Sequence, residues 1–303
     1  MAGGIWFVEK HTDSLLFYYK IRRIIYSGKT KFQKVDILDV EPFGKTLFLD
    51  DKIQSAQIDE YIYHEALVHV ALFSHPEPKR VLIMGGGEGA TLREVLKHSS
   101  VKEAIMVDID EELVNLCKEY MPEWSEGAFE DLRSKVFYLD ARRFVEEANN
   151  LYDVIISDLT EPIEGGPSIK LFTKEFYSII FNRLSEKGIF VAQAGSADPL
   201  YPNFVSSLYK TLRTVFPIVK VYWTFMFSFQ LPWAFVIASK SIDPENVKLT
   251  EIQERISKIS RDAFKFYYPS LHYALFAIPK YLRQALEEKG VVIKDDVPFI
   301  WRA

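Results

Sequence analysis

Two hydrophobic rhythms divide the chain. Up to residue 57, short runs rich in β-branched and aromatic residues alternate with turn signals. Residues 15–26 form one run. Residues 31–40 and 45–49 flank the turn Pro42-Phe43-Gly44, and residues 53–56 follow a second turn at Asp50-Asp51. This predicts a small antiparallel β domain over residues 1–57, suited to act as a lid or an oligomer contact. From Asp59 the period becomes helical, with Ile62, Ala66, Leu67, Val70 and Leu72 on the apolar positions. Asp59 is the expected N-cap, and the helix should stop near His75-Pro76, because proline disfavours helix in the residue before it. Strand and helix patterns then alternate. Strands are expected at 80–84, 103–108, 136–139, 152–157 and 188–192. Helices are expected at 90–97, 111–120, 142–148, from a Thr173 cap to about 184, and at 202–216. Residues 219–223 and 233–239 read as closing strands of a mixed sheet. Residues 241–303 read as helical decoration, with a capping box at Thr250 and Gln253 and a helix over 279–289.

The apolar run Val81-Leu82-Ile83-Met84 passes directly into Gly85-Gly86-Gly87-Glu88-Gly89 and a helical pattern. That is the strand–tight turn–helix of a nucleotide-binding βαβ unit. The expected fold class is therefore α/β, a Rossmann-like sheet with helices on both faces over residues 58–303. Glycines there should let the backbone approach a ligand. Gly85, Gly87 and Ala90 also fit the loose pattern G-x-G-x-x-A. Glu88, however, sets a carboxylate beside the helix N-terminus, where a pyrophosphate would sit. A ligand with a positive group suits it better, such as an adenosyl sulfonium compound with a free amine.

Three further acids fall at strand ends. Asp108 lies about 20 residues past the glycines, where an acid commonly takes ribose hydroxyls, although it could instead cap the next helix. Asp140, followed by Ala141, has the same two readings, an adenine contact or a helix cap. Asp158 follows a buried strand and opens the loop Asp158-Leu159-Thr160-Glu161-Pro162-Ile163-Glu164-Gly165-Gly166-Pro167, which is long enough to act as a gate. Asp158 and Glu161 should point into the same cleft as Glu88. Phe225, Phe227 and Phe229 either fill core or wall a groove for an alkyl chain.

Composition narrows the class. With 48% hydrophobic and 26% charged residues, the chain reads as a globular protein, and no apolar run is long enough to span a bilayer. A net charge of −5 gives no basic footprint for nucleic acid. The single cysteine, Cys117, excludes an intrachain disulfide and suits a reducing cytoplasm. Metal-ligand spacing and G-x-S-x-G are absent.

On these residues the chain resembles the polyamine aminopropyltransferase (spermidine synthase) family. Residues 81–94 fit that family's glycine-rich pattern throughout. Leu49-Asp50 with Gln54, and Asp59-Glu60-Tyr61-Ile62-Tyr63-His64-Glu65, resemble its interdomain segment. The resemblance implies a methyltransferase-type sheet and no cofactor, since decarboxylated S-adenosylmethionine is a co-substrate. It implies transfer of an aminopropyl group to an amine, with 5′-methylthioadenosine released. It also implies a homodimer or homotetramer. Gln33 and His64 would contact the donor, with Gly85 and Gly87 beneath it. Glu88, where the family usually has Asp, would hold the donor amine. Asp108, where Glu is usual, would bind ribose, and Asp140 would contact adenine. Asp158 would be the catalytic acid group, with Tyr63 and Glu161 positioning the attacking amine.

The departures bear on the acceptor. The usual Asp-Ser-Ser-Asp-Pro is here Asp158-Leu159-Thr160-Glu161-Pro162. Gln193 is followed by Ala194-Gly195 rather than by a glutamate that helps anchor a short diamine. The Gln193-Ala194-Gly195 segment and the Glu164–Pro167 insertion resemble the thermospermine-synthase-like branch, which includes enzymes acting on agmatine or triamines. The tyrosine expected in the late loop is not evident. A methyltransferase using ordinary S-adenosylmethionine would share the fold, but its donor carries a carboxylate that Glu88 should repel. A non-catalytic module with a vestigial nucleotide site would not need the cleft acids.

Overall fold

The computed structural model describes residues 3–301. Five antiparallel strands pair in chain order: β1 (Ile5–Thr12), β2 (Leu15–Lys29), β3 (Lys34–Glu41), β4 (Gly44–Leu49) and β5 (Lys52–Ala56). Strand β1 extends the expected sheet toward the N-terminus. Val35, Ile37, Leu38, Leu47 and Phe48 are buried, whereas Ile5, Trp6, Val8, Leu16, Tyr18 and Ile24 of β1 and β2 are exposed.

Helix α1 (Glu60–Ser74) follows and is buried at every position but Tyr61. A helix enclosed all round must satisfy its polar side chains internally. Glu65 does so by accepting from the backbone N–H of Lys265, Phe266 and Tyr267 at 2.8, 2.9 and 2.7 Å. Asp59 sits at the N-cap position but does not cap with its side chain. Its carboxylate accepts instead from the Ser228 N–H at 2.8 Å, tying the start of α1 to a distant turn.

The catalytic layer consists of β6 (Arg80–Gly85), α2 (Ala90–Leu96), β7 (Glu103–Asp108), α3 (Glu111–Tyr120), α4 (Pro122–Ser125), β8 (Ser134–Tyr138), α5 (Ala141–Glu147), β9 (Tyr152–Asp158), α6 (Lys174–Arg183), β10 (Leu184–Ser196), α7 (Asn203–Arg213), β11 (Ile218–Met226) and β12 (Leu231–Ser239). The sheet order is β11-β12-β10-β9-β6-β7-β8. Pairing is parallel from β10 to β8, and β12 and β11 join antiparallel. This is the Rossmann-like sheet expected, with its order reversing between β6 and β9. Ligands of such sheets bind at that reversal, beyond the carboxyl ends of the strands. The central strands read as unbroken apolar runs because helices cover both faces.

Helices α8 (Leu249–Ile256), α9 (Pro269–Leu275) and α10 (Lys280–Glu288) complete the chain. The capping box is not formed: α8 starts at Leu249 after Lys248, so Thr250 lies inside its first turn. Beyond α10 the backbone is stapled to the sheet-covering helices. The Val291 N–H donates to Ser207 Oγ at 3.1 Å and the Ile293 N–H to Thr211 Oγ1 at 2.9 Å. Asp295 accepts both arms of the Arg142 guanidinium at 2.7 Å and the Thr173 hydroxyl at 2.6 Å. Among the described residues, no helix is long and apolar enough to cross a membrane.

Candidate active site

Pairing within the central sheet sets Gly85 opposite Asp158. Gly85 has φ +80°, and a Cβ there would lie 2.2 Å from the Asp158 carbonyl oxygen. The Gly86 N–H donates to that same oxygen at 3.1 Å. A Cβ on Gly87 would approach Asp108 Oδ2 to 3.1 Å. The fold itself thus gives a reason for glycine here, beside the close approach of a ligand. Without side chains on the turn, the ends of β7 and β9 can close against it. One cleft results, lined by Gln33, Tyr63, Gly85, Gly87, Glu88, Asp108, Asp140, Ala141, Asp158, Glu161 and Gln193. The expected site residue missing from its lining is His64.

At the centre, Asp158 Oδ1 accepts from the Tyr63 hydroxyl at 2.7 Å and Oδ2 from the Thr91 hydroxyl at 2.6 Å. Burial, and then the nearby Glu88, push the Asp158 carboxyl above its usual range, against the lowering effect of His64 and the two hydroxyls. Burial and Asp158 also hold the Tyr63 phenol well above its ordinary value, so it stays a donor. His64 stands behind Glu88. Its Nε2 is 3.0 Å from Glu88 Oε1, and its Nδ1 is 2.9 Å from Glu60 Oε2 and 2.7 Å from the Glu60 carbonyl. Burial alone would push this imidazole down, but the two carboxylates outweigh it and raise it to about 10. Both ring nitrogens are thus engaged by Glu60 and Glu88, and of these two acids Glu88 lines the cleft. Glu60 is held in turn by Arg93 Nη2 at 2.8 Å.

At the β7 end, burial pushes Asp108 up to about 7, helped by the neighbouring charges of Asp110, Glu88 and Asp158. The cap of α3 is Asp110, whose Oδ1 accepts from the Leu113 N–H at 3.1 Å. The same carboxylate takes the Gln33 amide at 2.9 Å and the Thr30 hydroxyl at 2.6 Å. Asp140 does cap α5, accepting from the Arg143 N–H at 2.9 Å, while also lining the cleft.

At the other end, burial raises the Glu161 carboxyl. Gln193 donates to the Leu159 carbonyl at 2.7 Å and to Glu161 Oε1 at 3.4 Å, bracing the start of the loop. Beyond Glu161 a second cavity opens. It shares Ile53, Glu161, Phe229 and Trp233 with the first and adds Glu9, His11, Lys52, Ile163, Ser196, Leu231 and Trp301. Burial pushes Glu9 up to about 7, with the Lys52 ammonium opposing the rise. Of the three late-loop phenylalanines, only Phe229 faces the cleft; Phe225 and Phe227 are exposed, so they wall no groove.

Sequence reasoning passed over several of these residues. Thr91 and Arg93 were read only as parts of a helix. Glu60 was legible in principle, since it precedes His64 by one helical turn. Asp110, Glu9, Lys52 and Trp301 reach the site through tertiary contacts that no local pattern encodes. One group, His64, Glu88 and Asp158, brings ligand-type atoms within 4.8 Å of one another. His64 offers no lone pair there while both its nitrogens carry protons. The cluster therefore suits an organic cation better than a metal.

Residues 60–251 match the model of the spermine/spermidine synthase domain, and residues 5–57 match that of the spermidine synthase tetramerisation domain. The polyamine aminopropyltransferase of Caldicellulosiruptor saccharolyticus is 40% identical over 93% of this chain and 98% of its own length. Polyamine aminopropyltransferase 2 of Hyperthermus butylicus is 42% identical over 92% and 91%. A crystal structure of spermidine synthase with the transition-state analogue AdoDATO superposes with a TM-score of 0.86 at 36% identity, over 93% of this chain and 95% of that one. The spermidine synthase structure from Thermotoga maritima gives 0.85 at 36%, over 93% and 94%. The chain thus belongs to the polyamine aminopropyltransferase (spermidine synthase) family and moves the aminopropyl group of decarboxylated S-adenosylmethionine to an amine acceptor.

Proposed function

We propose that the two ends of the cleft divide the substrates. The donor takes the end formed by Gln33, Gly85, Gly87, Asp108, Asp140 and Ala141, with its amine at Glu88. The acceptor takes the end formed by Tyr63, Asp158, Glu161 and Gln193. The acceptor nitrogen attacks the carbon bonded to sulfur. Its lone pair forms the new N–C bond, and the C–S pair returns to sulfur as 5′-methylthioadenosine leaves. The nucleophile must be neutral, yet a free alkylamine has a pKa of about 10. Burial and the adjacent sulfonium lower it. Asp158, held by Tyr63 and Thr91 and pushed up by burial, is suited to take the proton as the bond forms. Glu88 and Glu161 draw cations into the cleft, and alignment of nitrogen, carbon and sulfur supplies much of the acceleration. His64 acts through Glu88, holding its carboxylate in place.

The acceptor is longer than a short diamine: agmatine or a triamine, as in the thermospermine-synthase-like branch. The carrying observation is the second cavity beyond Glu161, with the acid Glu9 in its lining. We further propose a cytoplasmic homodimer or homotetramer, with the exposed apolar face of β1 and β2 as the contact. The test is product mass. The protein is incubated with decarboxylated S-adenosylmethionine and putrescine, cadaverine, agmatine, spermidine or norspermidine. Aminopropylated agmatine or triamine as the main product supports the reading, and a preference for putrescine overturns it.

A further inference from the structure

The stretch after α10 has no place in the reaction as described, yet it ends at the acceptor cavity. It is held along its length by Ser207, Thr211, Thr173 and Arg142, four side chains on or flanking three different helices. Phe299 then packs on Phe204 at 5.2 Å between ring centroids. The Trp301 N–H donates to the Pro162 carbonyl at 2.7 Å, and Trp301 bridges to Ile163 in the loop that follows Asp158. Its indole stands edge-on to Phe204 at 5.6 Å and covers Gly195, where a Cβ would approach ring carbon Cζ3 to 3.2 Å. Gly195 thus has no side chain where the indole lies. The ring forms part of the wall of the second cavity, together with Ile163, Ser196 and Leu231. So the opening left by Ala194-Gly195 is filled again from the far end of the chain.

We infer that Trp301 sets the length of acceptor the enzyme takes, and that Asp295 is the positioning residue that holds it there. The inference rests on the reading that the acceptor extends past Glu161 into this cavity. A flat, rigid ring in the cavity wall, beside the apolar Ile163, Leu231 and Trp233, discriminates by methylene count, because each buried or excluded methylene changes transition-state binding by roughly tenfold or more. Asp295 touches neither cavity. Its two bonds to Arg142 and one to Thr173 fix the backbone only six residues before Trp301.

The experiment measures kcat/KM for an acceptor series from diamine to tetraamine, at saturating donor, for wild type, Trp301→Ala, Trp301→Phe, Asp295→Asn and Leu231→Trp. In Trp301→Ala the ratio of the longest acceptor to the wild-type favourite should rise by roughly tenfold, with donor KM unchanged. Trp301→Phe should restore most of the wild-type ratio, and Asp295→Asn should shift it the same way as Trp301→Ala by a smaller factor. A uniform fall across the series, or an unchanged ratio in Trp301→Ala, overturns the inference. Leu231→Trp narrows the same cavity without touching the tail. If it spares long acceptors, the cavity is not the acceptor's path and the underlying reading fails. If it selectively removes them while Trp301→Ala changes nothing, only the role of Trp301 fails.

Discussion

The donor end and the acceptor end of the cleft are built differently. Donor-side groups stand at the ends of neighbouring parallel strands, and most lie within the continuous stretch from Gly85 to Ala141. Behind them, Arg93, Glu60 and His64 form a buried chain of charge-assisted bonds to Glu88. The acceptor end is assembled from six separated pieces: β1, β5, the loop after β9, the end of β10, the turn between β11 and β12 with the start of β12, and the tail. A site made from one contiguous motif keeps one ligand. A site made from scattered pieces can be refitted by changing any of them, and that is how a family can hold its donor fixed while its acceptors diverge.

If this division is right, the largest loss should come where the two ends meet. Asp158→Asn keeps the shape and removes the base, so kcat should fall by about 10³-fold while donor affinity, read by calorimetry, stays within about twofold. Full activity in this variant would remove Asp158 from the chemistry. Next, Glu88→Gln should raise donor KM by about 10–100-fold, the worth of a charge-assisted bond, and leave acceptor KM little changed. Equal effects on both substrates would erase the boundary between the ends.

The contrast also governs what was legible in the sequence. The mixed sheet, the glycine turn and the acids at Asp108, Asp140 and Asp158 followed from strand periodicity and the strand-end rule, because each is encoded within a few residues. The misreadings were local patterns overruled by distant partners. Asp59 turned from capping α1 to hold Ser228, and the Thr250–Gln253 box lost its register to a helix starting two residues earlier. The bonds of His64 to Glu60 and Glu88 were not announced by anything near it in sequence beyond the one-turn spacing of Glu60. The acceptor cavity depends on Glu9, Lys52 and Trp301, whose encounter is purely tertiary.

Two subtler tests sharpen the comparison. The His64 imidazolium is raised from about 6.5 to about 10, so its stabilisation is complete below pH 6.5 and is lost as pH rises through about 10. Between pH 7 and 10.5 the Tm of wild type should fall further than that of His64→Gln, with about 2–4 °C for each kcal/mol lost. Parallel curves would mean the donor end carries no such clamp. The smallest effect belongs to Thr91→Val, which deletes one hydrogen bond to Asp158 and should lower kcat about fivefold without moving either KM.

Gly85 gives the turn an unexpected diagnostic meaning. Any side chain there would press on the carbonyl of Asp158. Inactivating changes in the most recognisable nucleotide-binding signature of the chain would thus masquerade as damage to the proton acceptor. Turnover would collapse through Asp158 as well as through any loss of donor binding. A genetic screen that scored such variants by activity alone would not separate the two lesions.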